Sequence, residues 1–117
     1  MTDKTPAQLA DTAGDAIRAL NHATLGRQAD WEYPGDAYSV VGNLAYMAGM
    51  LPQALDQIAK HIKSLEGEDR LKSDRDTLTA DLEAAYAGLT IAAGAADTLR
   101  GALNRAQSGL SSIAYKE

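Results

Sequence analysis

Apolar residues recur at steps of three and four along most of the chain, in three separate segments, which predicts three amphipathic α-helices. The first helix is expected at about residues 5–25. Thr5 is its predicted N-cap, Pro6 its first residue and Gln8 the capping-box partner of Thr5. Gly26 is the residue at which this helix is predicted to end. Its apolar stripe consists of Leu9, Ala13, Ala16, Ile17, Leu20 and Thr24.

The second segment, at about residues 36–65, has an apolar stripe whose register continues across a proline. Asp36 is its predicted N-cap. A proline inside a helix costs about 3 kcal/mol, but the unbroken register at Pro52 predicts one kinked helix, with Gly49 easing the bend. The stripe consists of Ala37, Val41, Leu44, Ala48, Leu51, Leu55, Ile58, Ile62 and Leu65.

The third segment follows a polar hinge at residues 66–69 and is predicted to be helical over about 69–113. Residues 73–76 resemble a capping box, so its regular part could instead begin at Ser73. The stripe consists of Leu71, Leu78, Leu82, Ala85, Leu89, Ala92, Ala96, Leu99, Leu103, Ala106, Leu110 and Ile113. We expect one continuous helix, since the register does not slip. The alternative is a break at one of its internal glycines, Gly88, Gly94 or Gly101.

These segments predict an all-α protein with one domain over residues 1–117, an elongated three-helix bundle built on a long helical hairpin. If the chain folded back at Gly67, the start of helix two would reach only to about Thr98 of the longer third helix. Four apolar residues of helix three would then lack a partner: Leu99, Leu103, Leu110 and Ile113. Helix one, a second copy of the chain or another protein would have to cover them.

Small residues recur every seven positions outside the stripe of helix three. One row is Ala80, Ala87, Gly94, Gly101 and Ser108, and another is Gly88, Ala95, Ala102 and Gly109. Each glycine inside a helix costs about 1 kcal/mol relative to alanine, so close packing of another helix would account for the rows. A solvent-exposed face in an alanine-rich chain is the alternative. Gly42 and Gly49 of helix two, also seven apart, favour packing.

The segment between the first two helices, residues 26–35, contains the single tryptophan, Trp31, with Tyr33 beside it. In one interpretation these rings fold down over the end of the bundle and bury apolar area there. In the other they are exposed and recognise a partner, because Trp and Tyr concentrate binding energy at interfaces.

Composition narrows the function classes. The chain has 117 residues, a net charge of -5 and no cysteine, which excludes disulfides, thiolate metal sites and a cysteine nucleophile. The acidic balance argues against nucleic acid as a partner. Neither an apolar run of about 18 residues nor the basic and apolar regions of a signal peptide occur, so we expect a soluble, cytoplasmic protein that does not bind membranes.

Candidate chemistry is sparse. His22 and His61 have no Asp, Glu or His three or four residues away, and neither a Glu-x-x-His nor a G-x-G-x-x-G motif occurs. Serines near the end, such as Ser111, have no histidine nearby in sequence to act as a base. The sequence therefore predicts a protein without metal, cofactor or enzymatic activity.

The predicted function is a helical protein–protein interaction module that self-associates through helix three or docks on another helical protein. Its candidate interface residues are Gly94, Gly101, Leu99, Leu103, Leu110, Ile113, Trp31 and Tyr33. A small-ligand or regulatory binding domain is the alternative, with a cavity near Pro52 lined by Met47, Met50 and Leu51, because methionine adapts to irregular ligands.

A long hairpin in a small, acidic, cysteine-free chain resembles the WXG100 proteins that specialised systems of Gram-positive bacteria secrete. In that family a Trp-x-Gly motif lies in the turn between two long helices. Here the turn is Leu65-Glu66-Gly67-Glu68, and Trp31 lies earlier in the chain. The likeness therefore implies the architecture of a WXG100-like partner protein and nothing about its residues.

Overall fold

The computed structural model describes residues 3–26 and 34–116. They form three α-helices, α1 (Pro6–Ala23), α2 (Pro34–Gly67) and α3 (Leu78–Leu110). The predicted all-α, three-helix architecture built on a long hairpin is confirmed. The molecule is elongated, with dimensions of 67 × 33 × 27 Å.

The start of α1 is the capping box that the sequence predicts. Thr5 Oγ1 accepts a hydrogen bond from the Gln8 amide at 3.2 Å, and Gln8 Oε1 accepts one from the Thr5 amide at 2.9 Å. At the other end Gly26 has a positive φ of 52°, a conformation that glycine adopts without strain. The helix ends at Ala23, two residues earlier than predicted.

The second helix is longer than the sequence analysis predicted at both ends. It begins at Pro34, because the fixed φ of proline suits the first helical position and its missing N–H would have no partner there. Asp36 consequently lies inside the first turn, where its charge favours the helix dipole, and is not the N-cap. The helix passes through Pro52 without interruption, as expected, while the angle of the bend there stays a prediction.

The end of α2 is set by Asp69, which has a positive φ of 55°. The Arg70 amide donates to the Leu65 carbonyl at 3.1 Å, and the Asp69 amide donates to the Glu66 carbonyl at 3.0 Å. This pair of hydrogen bonds is a Schellman motif, which satisfies the last carbonyls of a helix. The reversal therefore begins beyond Gly67, the residue at which the sequence suggested the fold-back.

The third helix begins at Leu78, nine residues later than predicted. Asp76 has a positive φ of 57°, which a continuous α-helix does not accommodate. Ser73 Oγ accepts from the Arg75 amide at 3.3 Å, so the predicted capping-box serine stabilises a turn in the loop and not the start of the helix. From Leu78 the helix runs through all its glycines to Leu110, which confirms its predicted continuity.

A connection of ten residues joins the helices, and α2 and α3, of 34 and 33 residues, pair along most of their lengths. Gly42 lies against the side chain of Gln107, and Gly49 lies against that of Arg100. The predicted register, in which α2 would reach only to Thr98, is therefore wrong. Leu99, Leu103 and Leu110 all lie alongside α2 and are not beyond its end.

The hairpin core is thin. The buried hydrophobic residues in the described part of the chain are Ala45, Ala48, Leu82 and Ala96. The extensive helix–helix packing among the described residues is that of α2 with α3. No residue of α1, all of which the structure describes, is buried, and Leu9 in its apolar stripe is 56% exposed.

Candidate interaction surface

The contact between α2 and α3 is rotated relative to the predicted stripes. On α2 it uses buried or half-buried residues that repeat at steps of three and four: Val41, Ala45, Ala48, Pro52, Leu55, Ala59 and Ile62. On α3 it uses Leu82, Tyr86, Leu89, Ala93, Ala96, Leu103, Gln107 and Leu110. Ala45, Pro52 and Ala59 were not assigned to the stripe of α2, and Tyr86, Ala93 and Gln107 were not assigned to that of α3. The signal that could have found them is their own heptad spacing.

This rotation leaves one row of each predicted stripe at the side of the hairpin. We call these two rows the lateral face: Leu44, Leu51, Ile58 and Leu65 of α2, with Ala85, Ala92, Leu99 and Ala106 of α3. Leu51 is 37% exposed, Ile58 48% and Leu99 44%. The two rows lie on the same side because the helices are antiparallel, so equivalent heptad positions flank the contact on one side. The sequence found these residues but assigned them to the contact between the helices.

The other side of the hairpin carries two shallow grooves. One, of about 390 Å³, is lined by Gly42, Ala45, Tyr46, Gly49, Met50, Arg100 and Asn104. The second is lined by Leu55, Asp56, Ala59, Lys63, Tyr86, Leu89, Thr90 and Ala93. Met50 lines the first groove, whereas Met47 and Leu51 lie toward the lateral face. The three residues predicted to surround a ligand cavity are therefore divided between two sides.

The lateral face and the rows that border it carry almost no charge. The bordering positions are Val40, Met47, Ala54 and His61 on α2, and Asp81, Gly88, Ala95, Ala102 and Gly109 on α3. Ion pairs occur elsewhere on these helices, including Lys60 with Asp56 at 2.9 Å and Arg100 with Asp97 at 3.6 Å. Most charged side chains of the hairpin therefore lie away from the lateral face, and burial of the lateral face would desolvate few ionised groups.

The glycines separate into two groups by their surroundings. A Cβ on Gly42 would overlap the Gln107 side-chain amide, and one on Gly49 would come within 2.9 Å of Arg100 Cδ. These two glycines therefore serve packing within the hairpin. A Cβ on Gly94 or Gly101 would meet no described atom within 4 Å, so this predicted interface row has no partner in the hairpin.

The remaining predicted interface residues have different positions. Leu103 and Leu110 are half-buried in the contact between α2 and α3. Ile113 follows the end of α3 and is 54% exposed. Trp31 and Tyr33 lie outside the described residues.

Asp81 organises the loop that joins the two long helices. Its Oδ1 accepts from Arg75 Nη2 at 2.8 Å, and its Oδ2 accepts from Thr77 Oγ1 at 3.0 Å and also from the Ser73 hydroxyl. A carboxylate in the first turn also favours the helix dipole. This cluster fixes the loop to α3 and gives Ser73, Thr77 and Asp81 a structural role without a ligand.

A second cluster joins α2 to α3 near the same loop. Tyr86 donates a hydrogen bond to Glu66 Oε1 at 2.8 Å, and Lys63 Nζ lies 5.1 Å from the centre of the Tyr86 ring. Desolvation of the Tyr86 phenol, with smaller effects from its hydrogen bond to Glu66 and from the charge of that carboxylate, raises the pKa of Tyr86 above its ordinary value.

The described residues do not gather a metal site. His22 lies in the last turn of α1, and His61 is exposed on α2. Groups of three or more His, Asp or Glu side chains with metal-binding geometry do not occur in residues 3–26 and 34–116. Among these same residues, no helix combines the length and the apolar character that crossing a membrane requires.

Comparison with known proteins gives no assignment. No protein family, no curated protein and no solved structure matches this chain.

Proposed function

We propose that this protein is a non-enzymatic helical interaction module that self-associates by burying apolar surface of its long hairpin. The observation that carries the proposal is the thin core together with the uncovered apolar row at the side of α2 and α3. Leu51, Ile58 and Leu99 occupy helical positions that face a neighbouring helix in a bundle, yet each is more than a third exposed.

The total surface supports the same proposal. The chain exposes 9360 Å², whereas a folded monomer of its mass exposes about 6,100 Å². A chain of this size whose described residues bury mainly alanines obtains little free energy from that core. Association would remove part of the excess apolar surface from water and so stabilise the hairpin.

The reason for association differs from the one that the sequence suggested. The far end of α3 is paired with α2, since Leu103 and Leu110 are half-buried between the helices. Helix three nevertheless contributes to the proposed interface through Leu99, which is exposed at the side of the hairpin. A different helical protein remains the other possible partner, and the oligomeric state of the purified chain distinguishes the two.

Sedimentation equilibrium on the full chain tests the proposal. We expect the average mass to rise above 12.3 kDa between about 1 and about 100 µM, and the unfolding temperature to rise with concentration, because association stabilises the folded state by mass action. A monomer that unfolds cooperatively at the same temperature over this range would contradict self-association.

A further inference from the structure

We infer that the partner on the lateral face is a second copy of this chain, bound through its own lateral face to form a four-helix core. This inference rests on the proposed self-association and specifies the surface and the symmetry. Contact of the same patch with itself gives a closed dimer with a two-fold axis.

The length of the face favours a second hairpin over α1 as its occupant. With 18 residues α1 is about 27 Å long, whereas the 33 residues of α3 extend about 50 Å. Helix α1 would therefore leave roughly half of the face uncovered. Among the described residues α1 packs extensively against neither long helix, and only Ile17 and Leu20 of α1 are half-buried.

The exposed area is sufficient for such a dimer. The excess over a compact monomer of this mass is about 3,300 Å². A stable protein–protein interface buries about 800 Å² on each partner. The excess is about four times that amount, so a dimer of standard size needs to bury only about a quarter of it.

Side-chain sizes on the face complement each other across a two-fold axis parallel to the helices. In the hairpin register, Leu44 lies at the level of Ala106, Ile58 at that of Ala92, and Leu65 at that of Ala85. The axis places α2 of one copy over α3 of the other, so Leu44, Ile58 and Leu65 each face an alanine. Alternation of large and small residues across facing positions is how helical layers interdigitate.

The rows that border the face fit this arrangement. Gly88, Ala95, Ala102 and Gly109 present no side chain larger than a methyl group beside the alanines of α3. A Cβ at Gly88 or Gly109 would meet no described atom, so this side of α3 is open to a close approach. Leu51 and Leu99 lie at one level of the hairpin, so the dimer would bring together four leucines, two from each copy, near the centre of the interface.

A pair of matched substitutions tests the surface in the full chain. Ile58→Glu places a carboxylate on the lateral face, whereas Ile91→Glu makes the same change at a position on α3 away from the face that is 72% exposed. We expect Ile58→Glu to weaken dimerisation by at least about 100-fold in sedimentation equilibrium, because both copies would bury an unpaired charge. We expect Ile91→Glu to change the dimer dissociation constant by less than about threefold. Circular dichroism should show that both variants keep their helices.

Cysteine accessibility gives an independent measurement, because the chain contains no natural cysteine. Ala92→Cys lies on the lateral face, and Ala84→Cys lies on the exposed opposite surface of α3. Alkylation of Cys at position 92 should be at least about tenfold slower in the dimer than in the diluted monomer, because a buried thiol is inaccessible to the reagent. The rate at position 84 should not depend on concentration.

The outcomes distinguish this inference from the proposed function. A wild-type chain that stays monomeric at about 100 µM would contradict both. A dimer that Ile58→Glu leaves intact, or that Gly94→Leu or Gly101→Leu disrupts instead, would preserve self-association and overturn the lateral face as its site. Protection of position 92 in the diluted monomer would show that α1 covers the face within one chain, and would also overturn the inference.

Discussion

The side chain of Arg100 crosses α2 directly over Gly49, so close that a Cβ at position 49 would come within 2.9 Å of Arg100 Cδ. Gly42 has the same relationship to Gln107, one heptad away on each helix. The two glycines therefore let long side chains of α3 lie across the backbone of α2, which explains why α2 tolerates residues of poor helix propensity there.

Alanine substitution should separate these glycines from the open ones. Gly94→Ala meets no described atom, so we expect it to increase the free energy of unfolding by about 0.5–1 kcal/mol through helix propensity. Gly49→Ala should increase the free energy of unfolding by less than half of this amount, because the side chain of Arg100 must move. Urea denaturation at one protein concentration measures both values, and equal gains would contradict the close approach.

Removal of the Asp81 carboxylate should destabilise the hairpin. Asp81→Asn leaves one acceptor oxygen where three donors converge, and we expect a loss of about 1–3 kcal/mol in the free energy of unfolding. Asp97→Asn is the matched control, since the carboxylate of Asp97 is 64% exposed and 3.6 Å from Arg100. An exposed ion pair of this kind contributes less than about 1 kcal/mol. Equal effects in urea denaturation would show that the loop cluster contributes nothing specific.

Replacement of Pro52 should stabilise the protein. Pro52→Ala supplies an N–H for the Ala48 carbonyl and removes the clash of the proline ring with that carbonyl, which should increase the free energy of unfolding by about 3 kcal/mol. The loss of burial of the half-exposed ring partly offsets this increase. We expect a net increase of about 1–2 kcal/mol in thermal or urea unfolding. Gln53→Ala on the exposed neighbour should change stability by less than about 0.5 kcal/mol. A decrease for Pro52→Ala would show that the predicted bend is needed for the contact with α3.

Tyr86 should make the protein less stable at alkaline pH. The pKa of Tyr86 is raised in the folded protein by desolvation and by Glu66. The contribution of Tyr86 to the free energy of unfolding is therefore complete below its unfolded pKa of about 10 and is lost as the pH rises through its folded pKa. Between about pH 9 and about pH 11 the unfolding midpoint of Tyr86→Phe should therefore fall less than that of the wild type. Tyr46→Phe, at an exposed ring, should follow the wild type. Parallel curves for all three proteins would contradict the role of Tyr86.

Sequence patterns predicted the fold class well because helix capping and apolar periodicity are local. The Thr5–Gln8 capping box and the continuity of α2 through Pro52 needed no tertiary information. The start of α3 was missed because Leu71 continued the apolar spacing into the loop. The positive φ of Asp69 and Asp76 is not encoded by residue type, since most aspartates adopt ordinary helical or extended conformations.

The register of the hairpin, and with it the candidate surface, depended on that loop. The connection has ten residues, and the start of α2 therefore lies near the end of α3 and not at the predicted level of Thr98. The choice of which apolar row faces the other helix could not be made from periodicity either. Both rows of α2 repeat every seven residues, and only the packing of Ala48 against α3 assigns Ile58 to the side.

The position of the loop clusters has a kinetic consequence. Tyr86 and Glu66 are 20 residues apart in sequence, whereas Gly42 and Gln107 are about 65 apart, so closing the first contact costs about 1 kcal/mol less chain entropy. We expect the two helices to pair first beside the loop and then to zip toward the free end. Changes at Asp81 should slow folding, whereas changes at Gly42 should mainly accelerate unfolding.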